Sequence, residues 1–238
     1  MSQFLVSLAT YNERENLPLI IKEIFEFASD VDILVIDDNS PDGTGDWVVE
    51  QMQVEPRLKL IRRAGKLGLG TATFAAMKYA IENQYDFLLN MDADLSHPPR
   101  YIPAIRSKAE EDGKGFDVVI GSRYVHGGGV EGWPLYRQLM SRCINLYAKI
   151  FLGLKTKDNS GAFRCYRVEL LKKLDETKIV SKGYSFQEEI LFRLKKVGAT
   201  FAEVPIIFVD RRFGSSKINH KETLNALWIL LRIGLWGR

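Results

Sequence analysis

The sequence has few of the features that mark secreted, membrane-spanning or nucleic-acid-binding proteins. Its 238 residues include only two cysteines, Cys143 and Cys165, without a paired CxxC spacing, and the first residues lack a basic secretory signal. No apolar run reaches the ~18–20 residues of a spanning helix. The 33 Lys and Arg nearly balance the 30 Asp and Glu, so the net charge is only +3. We therefore expect a cytoplasmic protein with no nucleic-acid partner, whose only possible membrane contact is peripheral.

The patterns that are present are typical of a single α/β domain spanning residues 1–238. The chain is long enough for one well-buried core, and neither a repeat nor a shift in composition marks a domain boundary. Short apolar runs alternate with segments of helical periodicity, which predicts a mostly parallel, Rossmann-like sheet with helices on both faces. The predicted strands are 4–8, 33–36, 58–61, 87–91, 118–121 and 201–209, and the main predicted helices are 17–27, 69–82, 135–152 and 185–197.

Three further features lie in the second half of the chain. Residues 127–132 fit the pattern GxGxxG, but they are far from the first βα turn, so we predict a mobile loop with Trp133 as an apolar platform rather than a dinucleotide site. Cys143 lies in an apolar helical pattern and is expected to be a small core residue. The last segment, 219–238, contains an unusually apolar helix that is too short to span a bilayer.

Carboxylates follow two of the predicted strands. Asp37 and Asp38 come directly after the strand at 33–36, and Asp92 and Asp94 follow the strand at 87–91. Parallel strands bring their carboxyl ends to one edge of the sheet, and carboxylates crowded together need a cation or hydrogen-bond donors. An Asp-x-Asp at a strand end suits Mg²⁺ or Mn²⁺, which take few protein carboxylates and fill their other positions with water and phosphate. Asp42 can instead form an Asx-type turn, and Asp38 suits a ribose contact.

Basic residues provide the opposite charge. Arginine binds phosphate through two parallel hydrogen bonds, and Arg123 ends a predicted strand at the same edge as Asp94. Arg142 can equally lie on a solvated helix face. The other basic candidates are Arg137, Arg211 and Lys217.

These motifs, in this order, resemble the inverting GT-A glycosyltransferases of family 2, and among them the dolichol-phosphate (polyprenol-phosphate) mannose synthases. The resemblance covers essentially the whole chain. It is carried by 10–13, 37–44, 92–99, 121–124, 128–133, 161–164, 203–206 and 210–217.

The resemblance implies transfer of mannose from GDP-mannose to a polyprenol (dolichol) phosphate, with Mg²⁺ or Mn²⁺ as cofactor. It assigns metal binding to Asp92, Asp94 and Ser96, and catalysis to Asp92, Asp94 and Arg123. It assigns the acceptor phosphate to Arg123, Arg137 and Ser141. The donor nucleotide sugar is assigned to Ala9, Tyr11, Glu13, Ile36, Asp38, Asp92, Ala93, Asp94, Arg211 and Lys217.

A phosphate monoester is already anionic at neutral pH, so it needs no general base to attack the anomeric carbon in line and invert it. The helix in 219–238 then suits a peripheral position on the cytosolic face of a membrane, or contact with a small membrane-embedded partner subunit; packing on the domain's own core is the alternative. Two other functions stay open: a related transferase that uses UDP-glucose or another nucleotide sugar, and a non-catalytic nucleotide-binding module.

Overall fold

A computed structural model of the chain describes residues 2–111, 115–181, 183, 185–210 and 220–237, and in the last helix only the side chains of 227–235. The strands are β1 (Phe4–Thr10), β2 (Asp32–Asp37), β3 (Leu58–Arg62), β4 (Phe87–Asp92), β5 (Val118–Ser122), β6 (Gly129–Glu131), β7 (Arg164–Arg167), β8 (Phe201–Pro205) and β9 (Ile207–Val209). The helices are α1 (Leu17–Phe27), α2 (Thr44–Gln51), α3 (Leu69–Glu82), α4 (Ile102–Glu110), α5 (Leu135–Leu152), α6 (Val168–Leu171), α7 (Phe186–Lys196) and α8 (His220–Trp236).

Seven strands form the central sheet, in the order β3-β2-β1-β4-β7-β5-β8. All neighbouring strands are parallel except at β7, which runs antiparallel to both β4 and β5. Side chains of the central strands alternate between two buried layers: in β1, Val6 and Leu8 pack towards α1 and α4, while Leu5 packs towards α3. Both sheet faces are therefore covered, and the predicted sheet is confirmed.

Strand β7 is absent from the sequence-based prediction because its sequence, Arg164-Cys165-Tyr166-Arg167, does not look like a buried strand. The structure nevertheless buries Arg164 completely. Its guanidinium donates to the carbonyl oxygens of Gln187 (2.5 Å) and Asn159 (2.6 Å), so the buried charge has hydrogen-bond acceptors.

Three other predictions need correction. The predicted strand 201–209 is two strands, because the chain leaves the main sheet after Pro205 and pairs β9 with β6. The GxGxxG segment is therefore not simply a loop, since Gly129–Glu131 is strand β6. Cys143 is exposed rather than in the core, because α5 buries a different face, which includes Asn145, Ala148 and Leu152.

Candidate functional site

The carboxyl ends of β1, β2 and β4 bring the predicted donor residues into one row. Ala9 of β1 aligns with Ile36 of β2 on one side and with Asp92 of β4 on the other. Asp38 and Asp94 lie two residues beyond Ile36 and Asp92 in their chains. The parallel strands thus form the sheet edge that was predicted to hold the ligand.

Asp94 is held in position by its own loop. Leu95 has a φ of +64°, and Ser96 donates to Asp94 Oδ1 from its backbone N–H (3.1 Å) and its hydroxyl (2.5 Å). The side chain of Asp92 is about one-third exposed, whereas Asp94 is 6% exposed and Ser96 only 1% exposed. Ser96 therefore orients the Asp94 carboxylate through these two hydrogen bonds. Of the two carboxylates, Asp92 is the more accessible.

The buried ring of His97 contacts the same loop. Its Nδ1 accepts a hydrogen bond from the backbone N–H of Asp92 (3.0 Å), and its ring stacks on Phe163 at 5.2 Å. Burial lowers the pKa of His97, although Asp92 and Asp94 oppose that shift. A buried imidazole that accepts at Nδ1 is neutral at physiological pH, so His97 orients the loop. No role for His97 was predicted from the sequence.

The two strand-end carboxylates fit a hard divalent cation by the chemistry of their oxygens. In the ranges that the structure describes, no three side chains of His, Cys, Asp or Glu come together to form a complete protein-only metal site. Mg²⁺ and Mn²⁺ need no such cage, because water and phosphate oxygens complete their coordination. Asp92 and Asp94 are the side chains that could hold such an ion here.

The loops after β1 and β2 are joined by hydrogen bonds. The backbone N–H of Asn12 donates to Ser40 Oγ (3.0 Å), and that of Glu13 donates to Thr44 Oγ1 (3.1 Å). Tyr11 is 39% exposed, and the Nζ of Lys66 lies 4.8 Å from its ring centroid. An exposed aromatic ring beside a cation at a strand end is suited to a nucleobase and its phosphates.

Asp38 forms an ion pair that was not predicted from the sequence. Arg63, just after β3, forms a buried ion pair with Asp38 and donates from Nη1 to Thr71 Oγ1 (2.6 Å). Arg63 therefore belongs to the candidate donor pocket, and its place one residue past a strand end could have indicated it. Asp42 forms the expected Asx turn with Thr44; although burial opposes the shift, hydrogen bonds from Thr44 and Arg14 lower the pKa of Asp42.

Arg123 is fixed at the end of β5 by a buried carboxylate. Its Nε and Nη2 donate to the two oxygens of Asp158, each at 2.7 Å, and its backbone N–H donates to the same group. Asp158 is fully buried and Arg123 is 8% exposed. Burial alone would raise the pKa of Asp158, but the Arg123 guanidinium holds that pKa below its usual value. Asp158 was missed because it lies in a loop far along the chain from Arg123.

The other predicted acceptor residues lie around the same arginine. The Arg137 guanidinium stacks 4.1 Å from the Trp133 ring centroid and donates to Asp210 Oδ1 (3.1 Å), and Arg123 lies 5.4 Å from the same ring. Ser141 accepts a hydrogen bond from the hydroxyl of Tyr124 at 2.6 Å. The fold thus brings the three predicted acceptor residues into one region, and Trp133 is the aromatic platform between two of them.

A pocket of about 400 Å³ opens beside Arg123. It is lined by Arg123, Tyr124, Val125, Gly128, Arg142, Asn145, Leu146, Lys149 and Lys157. Four of these side chains are cationic, and none is acidic. Lys149 and Lys157 were missed, because a lysine on a predicted helix or loop is typical of any solvated surface. The pocket has the charge and size for a phosphate group.

A larger cleft of about 620 Å³ lies between α1 and α4, at Asp30 and Arg106. Asp30 precedes β2, so this cleft is at the amino-terminal edge of the sheet, opposite the strand ends. Its charged groups already pair, with Arg106 Nη1 at 2.7 Å from Asp30 Oδ1. We therefore assign the site to the carboxyl edge.

The first turn of α7 adds buried polar groups that the sequence did not single out. Both side-chain amide atoms of Gln187 and the Oε2 of Glu188 are buried without a hydrogen-bond partner. Burial raises the pKa of Glu188 to about 7, and its charged neighbours include Asp158 and Arg123. A buried polar atom without a partner, as in Glu188 near Arg123, is suited to a polar ligand. Arg211 and Lys217, the last two predicted donor residues, lie outside the described residues.

Comparison with known proteins gives a family for this chain. Residues 6–175 match the model of glycosyl transferase family 2. An undecaprenyl-phosphate mannosyltransferase of Micrococcus luteus is 40% identical over 234 residues, which cover 98% of this chain and 95% of that protein. A polyprenol monophosphomannose synthase of Mycolicibacterium smegmatis is 39% identical over 235 residues, covering 98% of this chain and 88% of that protein.

Solved structures share the fold at lower identity. Glucosyl-3-phosphoglycerate synthase from Mycobacterium tuberculosis, in complex with Mn²⁺ and UDP-glucose, superposes with a TM-score of 0.68 at 18% identity, over 99% of this chain and 79% of that one. The mannosyltransferase PcManGT from Pyrobaculum calidifontis, in complex with GDP-Man and Mn²⁺, gives a TM-score of 0.60 at 17% identity, over 98% of this chain and 71% of that one. The expected GT-A-like fold is confirmed.

Proposed function

Since the chain belongs to glycosyl transferase family 2 and is a glycosyltransferase, we propose that it transfers mannose from GDP-mannose to a polyprenol phosphate with inversion. The observation that carries this proposal is the pairing of two oppositely charged sites at one sheet edge. Asp92 ends β4 and Asp94 follows it, and the basic pocket with Arg123 follows β5, only two strands away in the sheet. A charged donor and an anionic acceptor can thus meet at one edge.

The donor side of the proposed site combines the carboxylates with the loops after β1 and β2. Ala9, Tyr11, Glu13, Ile36, Asp38, Ala93 and Arg63 surround the nucleotide, and the late pair Arg211 and Lys217 binds its diphosphate. Asp92 and Asp94 hold Mg²⁺ or Mn²⁺, with Ser96 fixing Asp94. When bound, this ion stabilises negative charge on the leaving diphosphate.

The acceptor side is the basic pocket together with Arg137 and Ser141, which lie beside it. Asp158 fixes the Arg123 guanidinium in one orientation, and Arg137 and Ser141 complete a set that can bind the lipid-borne phosphate. Holding the phosphate in line with the anomeric carbon is the main task of these residues. The phosphate oxygen attacks as an anion, so no side chain has to remove a proton. Gln187 and Glu188 are our candidates for hydrogen bonds to the sugar hydroxyl groups.

We also propose that the protein works as one domain on the cytosolic face of a membrane. No helix in the described ranges is both long and apolar enough to cross a bilayer. The relatives named for undecaprenyl phosphate and polyprenol act on lipid-borne substrates, which supports attachment at the membrane surface.

A related transferase that uses UDP-glucose is the second candidate, because a structural neighbour with the same fold binds that donor. The deciding experiment is a transfer assay with labelled GDP-mannose, UDP-glucose and UDP-N-acetylglucosamine against a panel of polyprenyl phosphates, with and without divalent cations. We expect transfer from GDP-mannose only, and a product of the opposite anomeric configuration by NMR. Transfer from UDP-glucose alone would overturn the donor, and nucleotide binding without turnover would favour a non-catalytic module.

A further inference from the structure

Strand β9 has a different hydrogen-bonding partner along each of its two edges. One edge pairs in parallel with β6 over the whole length of both strands. On the other edge, the backbone N–H of Val209 donates to the carbonyl oxygen of Ser96 (3.2 Å), and the backbone N–H of Ile207 donates to the hydroxyl of Tyr101 (3.1 Å). Because alternate N–H groups of a strand point in opposite directions, β9 lies between β6 and the chain segment that follows β4.

The two partners of β9 belong to the two halves of the proposed site. Ser96 orients the Asp94 carboxylate, so the hydrogen bond to its carbonyl oxygen ties β9 to the loop that contains the carboxylates. On the side of β6, the chain continues into Trp133 and α5, and Arg137 of α5 donates to Asp210, the residue directly after β9. Strand β9 is thus joined by hydrogen bonds to the donor side and to the acceptor side.

The ring of Phe208, in the middle of β9, packs between the same two sides. It meets the ring of His97 in a T-shaped contact with 5.2 Å between centroids, and it meets the ring of Trp133 at the same distance. The guanidinium carbon of Arg123 lies 5.7 Å from its centroid. His97 in turn accepts a hydrogen bond from the backbone N–H of Asp92. One buried ring therefore separates the residue that orients the end of β4 from the acceptor arginine.

Contacts of this kind hold two sites at a constant distance, because close-packed protein interiors are hardly compressible. Transfer needs the attacking phosphate oxygen about 3–3.5 Å from the anomeric carbon and in line with the leaving group, and a misplacement of about 1 Å can lower the rate about 10²-fold. Binding of either substrate by itself does not depend on that distance. A residue that sets the distance between the sites therefore affects the rate of transfer and leaves both affinities unchanged.

We propose that Phe208 is a positioning residue, whose ring on β9 sets the distance between the carboxylate loop after β4 and the acceptor arginine Arg123. It acts through His97 on the donor side and through Trp133 on the acceptor side. The phenyl ring has no ionisable group, so its contribution is the space that it fills. This inference rests on the proposed function, and it assigns to β9 the placement of the two substrates relative to each other.

The test compares Phe208→Leu with the matched control Phe4→Leu. Each variant replaces a buried phenyl ring by a smaller apolar side chain, but Phe4 stacks on Phe87 at the amino-terminal ends of β1 and β4, away from the site. Both variants should bind GDP with Mn²⁺, and a short, water-soluble polyprenyl phosphate, with unchanged affinity by calorimetry. The kcat for transfer from GDP-mannose should fall about tenfold or more in Phe208→Leu and stay unchanged in Phe4→Leu.

A second measurement reports the distance without turnover. Mn²⁺ bound with GDP speeds the phosphorus NMR relaxation of the bound acceptor phosphate, steeply with decreasing distance, and this relaxation rate should change in Phe208→Leu but not in Phe4→Leu. An unchanged kcat and relaxation rate in Phe208→Leu would overturn the proposal. So would a loss of affinity for one substrate as large as the loss of kcat, because Phe208 would then belong to that binding site.

Two controls keep these outcomes apart. If Phe208→Leu does not fold, as judged by urea unfolding, Tyr101→Phe takes its place, since it removes only the hydroxyl that accepts a hydrogen bond from β9. Tyr101→Phe should lower kcat at unchanged affinities, and a normal kcat would then overturn the proposal. If the unchanged protein binds both substrates without transfer, the proposed function is wrong, and the relaxation rate still decides the role of Phe208. Failure of the unchanged protein to bind the polyprenyl phosphate would overturn the acceptor site and the positioning role together.

Discussion

Replacing Asp158 by Asn should destabilise the protein more than any conservative change on its surface. Asp158 is fully buried and accepts three hydrogen bonds from Arg123 and one from the backbone N–H of Gly161. The asparagine keeps the shape but removes the charge, which leaves the Arg123 guanidinium buried without its counter-ion. Breaking a buried pair in this way costs about 3–5 kcal/mol, a large part of a total stability of about 5–15 kcal/mol.

The measurement is urea unfolding of the substrate-free enzyme at neutral pH. Asp46→Asn is the matched control, because it breaks the Asp46–Arg62 pair, whose side chains are 75% and 42% exposed. An exposed pair of this kind is worth about 0–1 kcal/mol. The predicted difference between the two variants is therefore at least ~2 kcal/mol.

The double variant Arg123→Met/Asp158→Leu separates stability from function. Replacing both partners by apolar side chains removes the uncompensated charge, so most of the stability lost in Asp158→Asn should return. Transfer activity should not return, because the double variant lacks the guanidinium that we propose binds the acceptor phosphate. If Asp158→Asn were as stable as Asp46→Asn, or if the double variant transferred mannose normally, the assignment of Arg123 and Asp158 would be wrong.

Three other changes test separate parts of the site. Asp94→Asn should abolish turnover that depends on a divalent cation and leave the circular dichroism spectrum unchanged, whereas near-native activity would exclude Asp94 as a metal ligand. Arg137→Ala should raise the KM for the lipid phosphate more than tenfold and leave the GDP affinity measured by calorimetry unchanged, since a charge-assisted hydrogen bond is worth about 1.5–3 kcal/mol. Lys217→Ala should instead weaken GDP binding and leave the KM for the lipid phosphate unchanged. Equal loss of GDP affinity in both variants would refute two separate phosphate sites. Burial raises the pKa of Glu188 from 4.5 to about 7, so between these pH values the folded state holds a proton that the unfolded state has lost. The free energy of unfolding should therefore fall as the pH rises from about 4.5 to 7, and Glu188→Gln should remove about 3 kcal/mol of that decrease in unfolding experiments. An unchanged pH profile would place Glu188 in a polar setting.

Local pattern was enough to predict the part of the fold that contains the donor site. Alternating apolar runs and helical periodicity indicated β1, β2 and β4, and the strand-end positions of Asp92 and Asp94 follow directly from where those runs stop. Parallel strands align their carboxyl ends whatever the rest of the fold does. The donor row of Ala9, Ile36 and Asp92 could therefore be predicted from the sequence.

Contacts between distant segments could not be read from the sequence. Asp158 pairs with Arg123 across 35 positions, and Arg63 pairs with Asp38 across 25. Strand β7 pairs with β4 and β5, and its buried Arg164 is satisfied by the carbonyls of Gln187 and Asn159, which no local pattern indicates.

The direction in which α5 faces was also decided by tertiary structure. The periodicity of residues 135–152 predicts the helix and its apolar residues, but not which face turns inward. The rest of the fold packs against Asn145, Ala148 and Leu152, so Leu135, Leu139 and Ile150 remain outside. The sequence thus determined the parallel strands β1 to β5, the main helices and the carboxylates at the strand ends. Only the packed chain determined how the basic pocket is held together and which face of α5 stays exposed, because both depend on contacts between residues far apart in sequence.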